Sequence, residues 1–287
     1  MQRQSALPPS FAGRYRHRQR CSCTAVDVGV VGRGNSSTPC PGLLPQAWPW
    51  LAPTGSSPSG VCTAWEATTG EEHALEMGGN PDKEPPFFFT KPPDAAVDVS
   101  AAGAVVHYPP ETEDLQHEVE MVVAIGKGGR CIPPRDALQH VFAYGVGVDL
   151  TRRDMQRAAK KAGRPWDCSK GFDSSGPIGA LTTTPPAKGG GVGAAAGLVG
   201  DEGGRRIWLE VGGGRRQDSV LGEMVWSVPE MIARLSELFT LEAGDVLFTG
   251  TPKGVAPLAV GDDVEAGVEG LEPCRFRVGP VLPPTTH

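Results

Sequence analysis

The sequence predicts an α+β fold that is mainly β, and two observations support this. Short apolar runs bounded by glycine and proline recur along the chain, as at residues 207–211 and 245–249, and such runs are typical of strands joined by turns. Helix start and stop signals mark only two longer segments, at residues 151–162 and 229–239. We therefore expect a sheet-based domain with few short helices.

The clearest strand signal lies at residues 117–126, where side chains of two kinds alternate over several positions. Side chains of a strand point alternately to its two faces, so Glu118 and Glu120 should share one face. His117 would point to the other face and contribute to packing. That other face should join the core through its apolar side chains, which are Val119, Met121, Val123 and Ile125.

The first predicted helix covers residues 151–162. Thr151 and Asp154 have the spacing of an N-terminal capping pair, and Gly163 is suited to end the helix. Arg153 and Gln156 are three residues apart and share a face, so the helix could offer both to an anionic ligand.

The second predicted helix covers residues 229–239, with a capping box formed by Ser227 and Glu230. Its apolar side chains recur at helical spacing and are expected in the core. They are Met231, Ile232, Leu235 and Phe239. Residues 182–204 are rich in glycine, alanine and proline, and we expect a surface loop there.

Three acidic residues and one lysine form the candidate site: Glu118, Glu120, Asp149 and Lys170. Asp149 follows an apolar run and stands just before the first predicted helix. Carboxylates that converge repel one another and stay ionised together only beside a cation. Three carboxylate oxygens with open positions suit Mg²⁺ or Mn²⁺, and one such ion together with Lys170 would balance the three negative charges.

The same residues also have a plainer interpretation. A Glu-x-Glu pair on a strand is often only a solvated face, and a lysine near acids often forms a surface ion pair. On that interpretation Lys170 would pair with Asp167 or Asp173. The residues of the motifs and their order along the chain favour the metal site over this alternative.

Composition excludes several classes of function. The chain has 287 residues and a net charge of −6 at pH 7, which does not suit a nucleic-acid-binding surface. No run approaches the roughly 18 apolar residues of a membrane-spanning helix, so no membrane partner is expected. The seven cysteines are odd in number and include no Cys-x-x-Cys pair, which favours reduced thiols in a cytosolic or organellar compartment.

Residues 1–65 form an N-terminal extension in our interpretation. They contain several arginines and one acidic residue, Asp27, and this composition is typical of an organelle transit peptide. The mitochondrial matrix is therefore the expected location, with the cytoplasm as the alternative. Residues 34–60 are rich in glycine, proline and serine, and we expect them to be disordered.

Several stretches of the chain, taken in order, carry a resemblance to one family. They are residues 73–78, 89–93, 117–120, 144–156, 165–173, 216–217, 224–229 and 244–255. The longest reads Tyr-Gly-Val-Gly-Val-Asp-Leu-Thr-Arg-Arg-Asp-Met-Gln. Together they resemble the fumarylacetoacetate hydrolase superfamily, most closely its small acylpyruvase branch. The resemblance implies a mixed β-sandwich roll in residues 87–281, a lid segment in residues 66–86, and a homodimer.

The resemblance also implies the chemistry. The substrate would be a small 2-keto acid, such as a 2,4-diketo acid, whose carboxylate and 2-oxo oxygens chelate the metal held by Glu118, Glu120 and Asp149. Hydrolysis of the C3–C4 bond would give a carboxylate and pyruvate, by way of a pyruvate enolate that the metal and Lys170 stabilise. The substrate-binding residues carried over from the family are Arg153, Gln156 and Thr251.

His73 and Glu76 lie three residues apart on a short predicted helix and form a candidate catalytic dyad. Glu76 would orient His73 and raise its basicity, and His73 would deprotonate the attacking water. Residues 30–35 resemble the strand end that in the family lies just before the lid. Residues 36–72 separate the two here, either as a native insertion or as a mistranslated segment.

Other functions stay open at this point. The same residues would serve oxaloacetate decarboxylation or oxaloacetate keto–enol tautomerisation, since both pass through the same metal-bound enolate. The non-enzyme alternative is a catalytically impaired relative that only binds metal.

Overall fold

A computed structural model of the protein describes residues 86–183 and 204–283. Strands supply most of the regular structure in these ranges, which confirms the predicted α+β, mainly β class. The strands are β1 (Ala96–Asp98), β2 (Val105–His107), β3 (Leu115–His117), β4 (Val119–Ile125), β5 (Val141–Val148), β6 (Thr151–Arg152), β7 (Gly176–Ile178), β8 (Thr182–Thr183), β9 (Arg206–Val211), β10 (Gly214–Val220), β11 (Val246–Phe248), β12 (Ala256–Pro257), β13 (Asp263–Val268) and β14 (Cys274–Gly279). The helices are α1 (Pro134–Ala137), α2 (Arg153–Ala162), α3 (Asp167–Lys170) and α4 (Val228–Leu238), beside short 3₁₀ turns at Pro93–Ala95, Leu138–His140 and Leu221–Glu223.

The strands form three sheets. A six-stranded sheet has the order β1-β7-β5-β4-β11, with β8 also paired to β5. A five-stranded sheet has the order β10-β9-β13-β14-β2, and a small sheet has the order β12-β3-β6. Strand β1 runs parallel to β7, and β14 runs parallel to β2, whereas β4 and β5 are antiparallel. The two larger sheets are therefore mixed, as the resemblance implies, whereas the small sheet is antiparallel.

Strand β4 is buried on both faces, and each face joins a different apolar cluster. The predicted core face joins the larger cluster through Val119, Met121, Val123 and Ile125. Val122 points the other way, into a smaller cluster that includes Phe248, and alternation places Glu120 on that same face. Gly147 pairs with Glu120 in register, and a Cβ there would lie 2.7 Å from Val122 Cγ2 and 2.8 Å from Phe248 Cε1. Glycine thus lets β5 pack beside the acidic face.

Helix α4 forms largely as predicted. Ser227 and Glu230 make the capping box, and the predicted core side chains Met231, Ile232 and Leu235 are buried. Phe239 was expected in the core, and this is wrong: its side chain is 44% exposed. The helix ends at Leu238 and Phe239 is extended, with φ −131° and ψ 156°, so it no longer follows the helical period.

Helix α2 begins two residues later than predicted, at Arg153. Thr151 and Arg152 instead form strand β6, because their backbone pairs with β3. The predicted capping pair is therefore wrong, and the Asp154 carboxylate accepts a hydrogen bond from Thr112 Oγ1 at 2.6 Å. The other end agrees with the prediction, since Gly163 adopts the left-handed conformation with φ 61°.

Several expectations fall outside the described residues. The N-terminal extension 1–65 and the lid segment, apart from residue 86, lie there, as do residues 184–203 of the predicted loop. The first two residues of that loop belong to strand β8, so its predicted start was too early. Within residues 86–183 and 204–283, no helix has both the length and the apolar character needed to cross a membrane.

Candidate metal centre

Three carboxylates converge where strands β4 and β5 meet. Glu118 occupies the break between β3 and β4, Glu120 is the second residue of β4, and Asp149 directly follows β5. The Asp149 N–H donates to the Glu118 carbonyl at 2.8 Å, which continues the β4–β5 pairing one residue beyond the end of β5. One oxygen atom from each carboxylate lies within 4.8 Å of the others, and all three side chains are buried. The structure thus brings together the predicted metal ligands.

Glu120 shows that this arrangement suits a cation. Its Oε2 accepts the Gly250 N–H at 2.5 Å, whereas its buried Oε1 has no hydrogen-bond partner in the described part of the chain. Burial raises the pKa of Glu120 well above its ordinary value, and repulsion from Asp149 and Glu118 raises it further, although Lys170 and the Gly250 amide oppose this. A divalent ion among the three oxygens would give Oε1 a partner and relieve the repulsion. These hard oxygen donors fit Mg²⁺ or Mn²⁺.

Lys170 contacts two of the three acids. Its Nζ donates to Glu118 Oε2 at 2.7 Å and to Asp149 Oδ2 at 2.5 Å, and its side chain is buried. The alternative interpretation, a surface ion pair of Lys170 with a neighbouring aspartate, does not fit this burial. Helix α3 positions the lysine, since Lys170 is its last residue. A carboxylate oxygen has two lone pairs, so these hydrogen bonds leave room for a metal ion.

Lys91 is a second buried lysine at the site, and it was not among the residues predicted from the sequence. Its Nζ lies 2.5 Å from Asp149 Oδ1, in an ion pair. It also donates to Ser175 Oγ at 3.0 Å, to Leu150 O at 3.4 Å, and to the carbonyl of Lys170. Its place in the motif of residues 89–93 was the one available signal. Nothing in the local pattern distinguishes it from a surface lysine.

Arg153 is the third cation at the acidic cluster. Its guanidinium bonds Glu118 Oε1, and also Gln116 Oε1 at 2.9 Å and Gln156 Oε1 at 2.6 Å. Both Arg153 and Gln156 are buried on α2, on the shared face that the sequence predicts. Arg153 therefore holds the candidate metal ligand Glu118 in position, and it also sets the orientation of the Gln156 amide.

With all three carboxylates ionised, as metal binding requires, the charges of the cluster cancel before any metal is counted. The three carboxylates face three cationic side chains, Lys91, Arg153 and Lys170. The expectation that a divalent ion and Lys170 alone balance the acids is therefore wrong. With a divalent ion bound, the centre would carry a positive surplus of two charges. A buried surplus of that sign favours an anionic ligand.

Thr251, the third predicted substrate-binding residue, lies in the loop after β11. It is buried and follows Gly250, whose amide contacts Glu120. Its Oγ1 accepts a hydrogen bond from Gln217 Nε2 at 2.8 Å. The structure thus places Thr251 next to the acidic cluster. The two predicted catalytic residues upstream, His73 and Glu76, lie outside the described residues.

Replacing Glu120 with glutamine should abolish stabilisation by Mg²⁺. With Mg²⁺ at a hundred times its Kd, the unaltered protein should gain about 2.7 kcal/mol in the free energy of unfolding, and the variant almost none. Without metal the variant should be at least as stable near neutral pH. The raised pKa of Glu120 means that the folded state favours the protonated group, and stability is lost as pH rises through that pKa.

Melting temperatures with and without Mg²⁺ check this prediction. Glu237→Gln is the matched control, because Glu237 is exposed on α4 and pairs only at the surface with Arg234. Its metal-dependent shift should equal that of the unaltered protein. A full shift in the Glu120 variant would show that the ion binds elsewhere.

Comparison with known proteins gives consistent matches over the described domain. The family model for the fumarylacetoacetate (FAA) hydrolase C-terminal region matches residues 63–279. The mouse protein named oxaloacetate tautomerase FAHD1, mitochondrial, is 38% identical over 207 residues, which are 72% of this chain and 86% of the mouse protein. Fumarylpyruvate hydrolase from Ralstonia sp is 37% identical over 206 residues, 71% of this chain and 99% of that protein.

A solved structure agrees with these relatives. The crystal structure of fumarylpyruvate hydrolase from Pseudomonas aeruginosa in complex with Mn²⁺ and pyruvate superposes with a TM-score of 0.69 at 40% sequence identity. The match covers 78% of this chain and 91% of the Pseudomonas chain.

Proposed function

The chain belongs to the fumarylacetoacetate hydrolase family, and we propose that it hydrolyses a carbon–carbon bond of acylpyruvates, giving pyruvate and a carboxylate. The observation that carries this proposal is the buried cluster of Glu118, Glu120 and Asp149, in which Glu120 Oε1 lacks a partner in the described part of the chain. The similarity to the fumarylpyruvate hydrolases of Ralstonia and Pseudomonas supports the substrate class, and the latter was solved with Mn²⁺ and pyruvate.

The cofactor in this proposal is Mg²⁺ or Mn²⁺, held by the three carboxylates. A divalent ion there would supply a Lewis acid for the 2-oxo and carboxylate oxygens of a 2-keto acid. Lys170 adds a second positive charge at the same place, and the Phe89 ring lies 4.9 Å from its Nζ. Because the lysine is buried beside an aromatic ring, its charge is poorly screened and acts strongly on a developing oxyanion.

Gln156 and Thr251 would contact the substrate directly in this proposal, with Arg153 beside them. The Gln156 carbonyl oxygen accepts from Arg153, so the amide NH₂ is the part that can donate to a substrate carboxylate. Arg153 is itself tied to Glu118 and contributes charge from that position. A donor set that is held before the ligand arrives loses little entropy on binding.

His73 and Glu76 would activate the attacking water, with Glu76 orienting the imidazole. Replacing His73 with asparagine should lower acylpyruvate hydrolysis about a hundredfold, the usual scale for loss of a general base. Mg²⁺-dependent stabilisation should persist, because the metal ligands are untouched. Steady-state rates and melting shifts on the same samples test this. A variant that loses both activity and the metal shift would contradict a role confined to the water.

Oxaloacetate tautomerisation is the second candidate function, and decarboxylation of oxaloacetate is its variant. The observation in its favour is the 38% identity to the mouse oxaloacetate tautomerase. Lys170 and a metal held by the three carboxylates would stabilise the 2-oxo group in the same way in hydrolysis, tautomerisation and decarboxylation. A relative that binds metal but turns over nothing is the remaining alternative.

One experiment separates these functions. Purified protein with Mg²⁺ is given acetylpyruvate, keto-oxaloacetate and enol-oxaloacetate in parallel, and each is followed by ultraviolet absorbance. The proposal expects acetylpyruvate consumption to be fastest. Faster keto–enol interconversion would instead make tautomerisation the main activity, and release of CO₂ would identify the decarboxylase. No turnover together with a metal-dependent melting shift would leave only the impaired relative.

Location and assembly belong to the same proposal. The mouse, rice and Arabidopsis relatives are named mitochondrial, and the arginine-rich residues 1–65 favour the mitochondrial matrix over the cytoplasm. A homodimer is the proposed assembly, and light scattering during gel filtration measures it.

A further inference from the structure

Gln217 is a fully buried polar residue on strand β10, whose other side chains are exposed or half-buried. The strand carries a bulge between Arg215 and Gln217, where its register with β9 shifts. A bulge inserts an extra residue and redirects the side chain that follows, and here it turns Gln217 inward. A buried amide costs free energy unless its hydrogen bonds are made, so its partners indicate its role.

The carboxamide of Gln217 makes four contacts. Its Oε1 accepts from the Val119 N–H at 3.1 Å and lies 2.8 Å from His117 Nδ1. Its Nε2 donates to Thr251 Oγ1 at 2.8 Å and to the Pro252 carbonyl at 2.9 Å. A backbone N–H can only donate and a carbonyl can only accept, so this network permits a single orientation of the amide. His117 must then carry its proton on Nδ1.

These contacts connect the two segments that form the candidate metal centre, strand β4 and the loop after β11. Val119 lies between the two glutamates that are candidate ligands, and Thr251 lies in the loop whose Gly250 amide contacts Glu120. The loop is seated closely on the β10 bulge, since a Cβ at Gly254 would lie 2.5 Å from the Arg216 carbonyl oxygen. Gln217 therefore sets the position of the loop relative to the acidic strand.

The direction of the bond to Thr251 has a chemical consequence. A hydroxyl has one proton, and because Thr251 Oγ1 accepts from Gln217, that proton points away from Gln217. No group in residues 86–183 and 204–283 accepts it. We propose that Gln217 is a positioning residue that holds the Thr251 hydroxyl as a hydrogen-bond donor toward a carboxylate oxygen of the 2-keto acid. This role rests on the proposed function.

The test compares the effect of one substitution at Gln217 in two variants of Thr251. Gln217→Met removes the carboxamide at nearly constant length and adds no charge. It is combined separately with Thr251→Ser, which keeps the hydroxyl, and with Thr251→Val, which removes it. The readout is the affinity for oxalate, a mimic of the chelating head, measured by calorimetry at saturating Mg²⁺. Loss of one directed hydrogen bond to a charged group should weaken oxalate binding about tenfold.

The positioning role predicts that this weakening depends on the hydroxyl. Gln217→Met should weaken oxalate binding in the unaltered protein and in the serine background, and should weaken it much less in the valine background. If Gln217→Met does not fold, Gln217→Glu is the second variant. Its carboxylate can still accept the hydrogen bond of the Val119 N–H, but it also accepts the Thr251 proton and so turns that proton toward itself. The effect of Gln217→Glu should also shrink when residue 251 is valine. A Mg²⁺-dependent melting shift confirms that each variant is folded.

The possible results lead to different conclusions. Equal weakening in the serine and valine backgrounds would overturn the positioning role, because a purely structural contribution does not depend on the hydroxyl. Failure of the unaltered protein to bind oxalate with Mg²⁺ would overturn the proposed function, and the role of Gln217 with it.

Discussion

Lys170→Met should lower turnover of the 2-keto acid about 10²–10³-fold, which is the usual effect of removing one electrostatic partner of a developing oxyanion. The lysine is buried, and its Nζ contacts both Glu118 and Asp149, so its charge acts where substrate oxygens would meet the metal. Methionine keeps the length and the apolar contacts of the side chain without the charge.

The affinity of the same variant for Mg²⁺ should not fall together with turnover. The positive charge of Lys170 repels a metal ion bound at Glu118 and Asp149, so its removal should leave Mg²⁺ affinity equal or tighter. Lys161→Met is the control, because Lys161 is exposed in the last turn of α2. Turnover within a factor of a few of the unaltered protein would reduce Lys170 to a structural ion pair, despite its position.

Lys91→Met should lower the free energy of unfolding of the metal-free protein by about 3 kcal/mol, because it removes one cation from a buried network of ion pairs. The carboxylate concerned is Asp149, whose Oδ1 lies 2.5 Å from Lys91 Nζ and which, among the described residues, would keep only Lys170 as an ion-pair partner, at Oδ2. The variant also leaves Ser175 Oγ and the Lys170 carbonyl without this buried donor. Mg²⁺ should restore part of the loss, since the ion brings positive charge to the same carboxylate.

Urea unfolding with and without Mg²⁺ measures both parts of this prediction. The exposed Lys161→Met should stay within about 0.5 kcal/mol of the unaltered protein under both conditions. A Lys91 variant as stable as that control would mean that the ion pair contributes no net stability. A loss that Mg²⁺ leaves unchanged would argue against metal binding at Asp149.

Features that depend on neighbouring residues could be predicted from the sequence. The capping box of Ser227 and Glu230, the left-handed Gly163 and the alternation along β4 all involve groups only a few positions apart. Where a strand that is distant in the sequence forms hydrogen bonds with the same backbone, the local pattern no longer predicts the structure. Thr151 begins strand β6 rather than a helix because its backbone pairs with Gln116.

The acidic residues of the candidate site were also accessible to sequence reasoning. A strand period of two places Glu118 and Glu120 on one face, and carboxylates that converge stay ionised together only beside a cation. Membership of the family follows from the same ordered motifs, and the comparisons confirm it.

The sequence by itself therefore determined the fold class, the family and the acidic residues of the candidate site, because residue type and local pattern decide these. The tertiary structure alone showed that Lys91 and Gln217 complete the site beside the predicted Lys170 and Arg153. Lys91 meets Ser175 across 84 positions, and Gln217 meets His117 across 100. Such pairs form only when strands that are distant in the chain pack together and exclude water, since burial is what makes a charge or an amide require a partner.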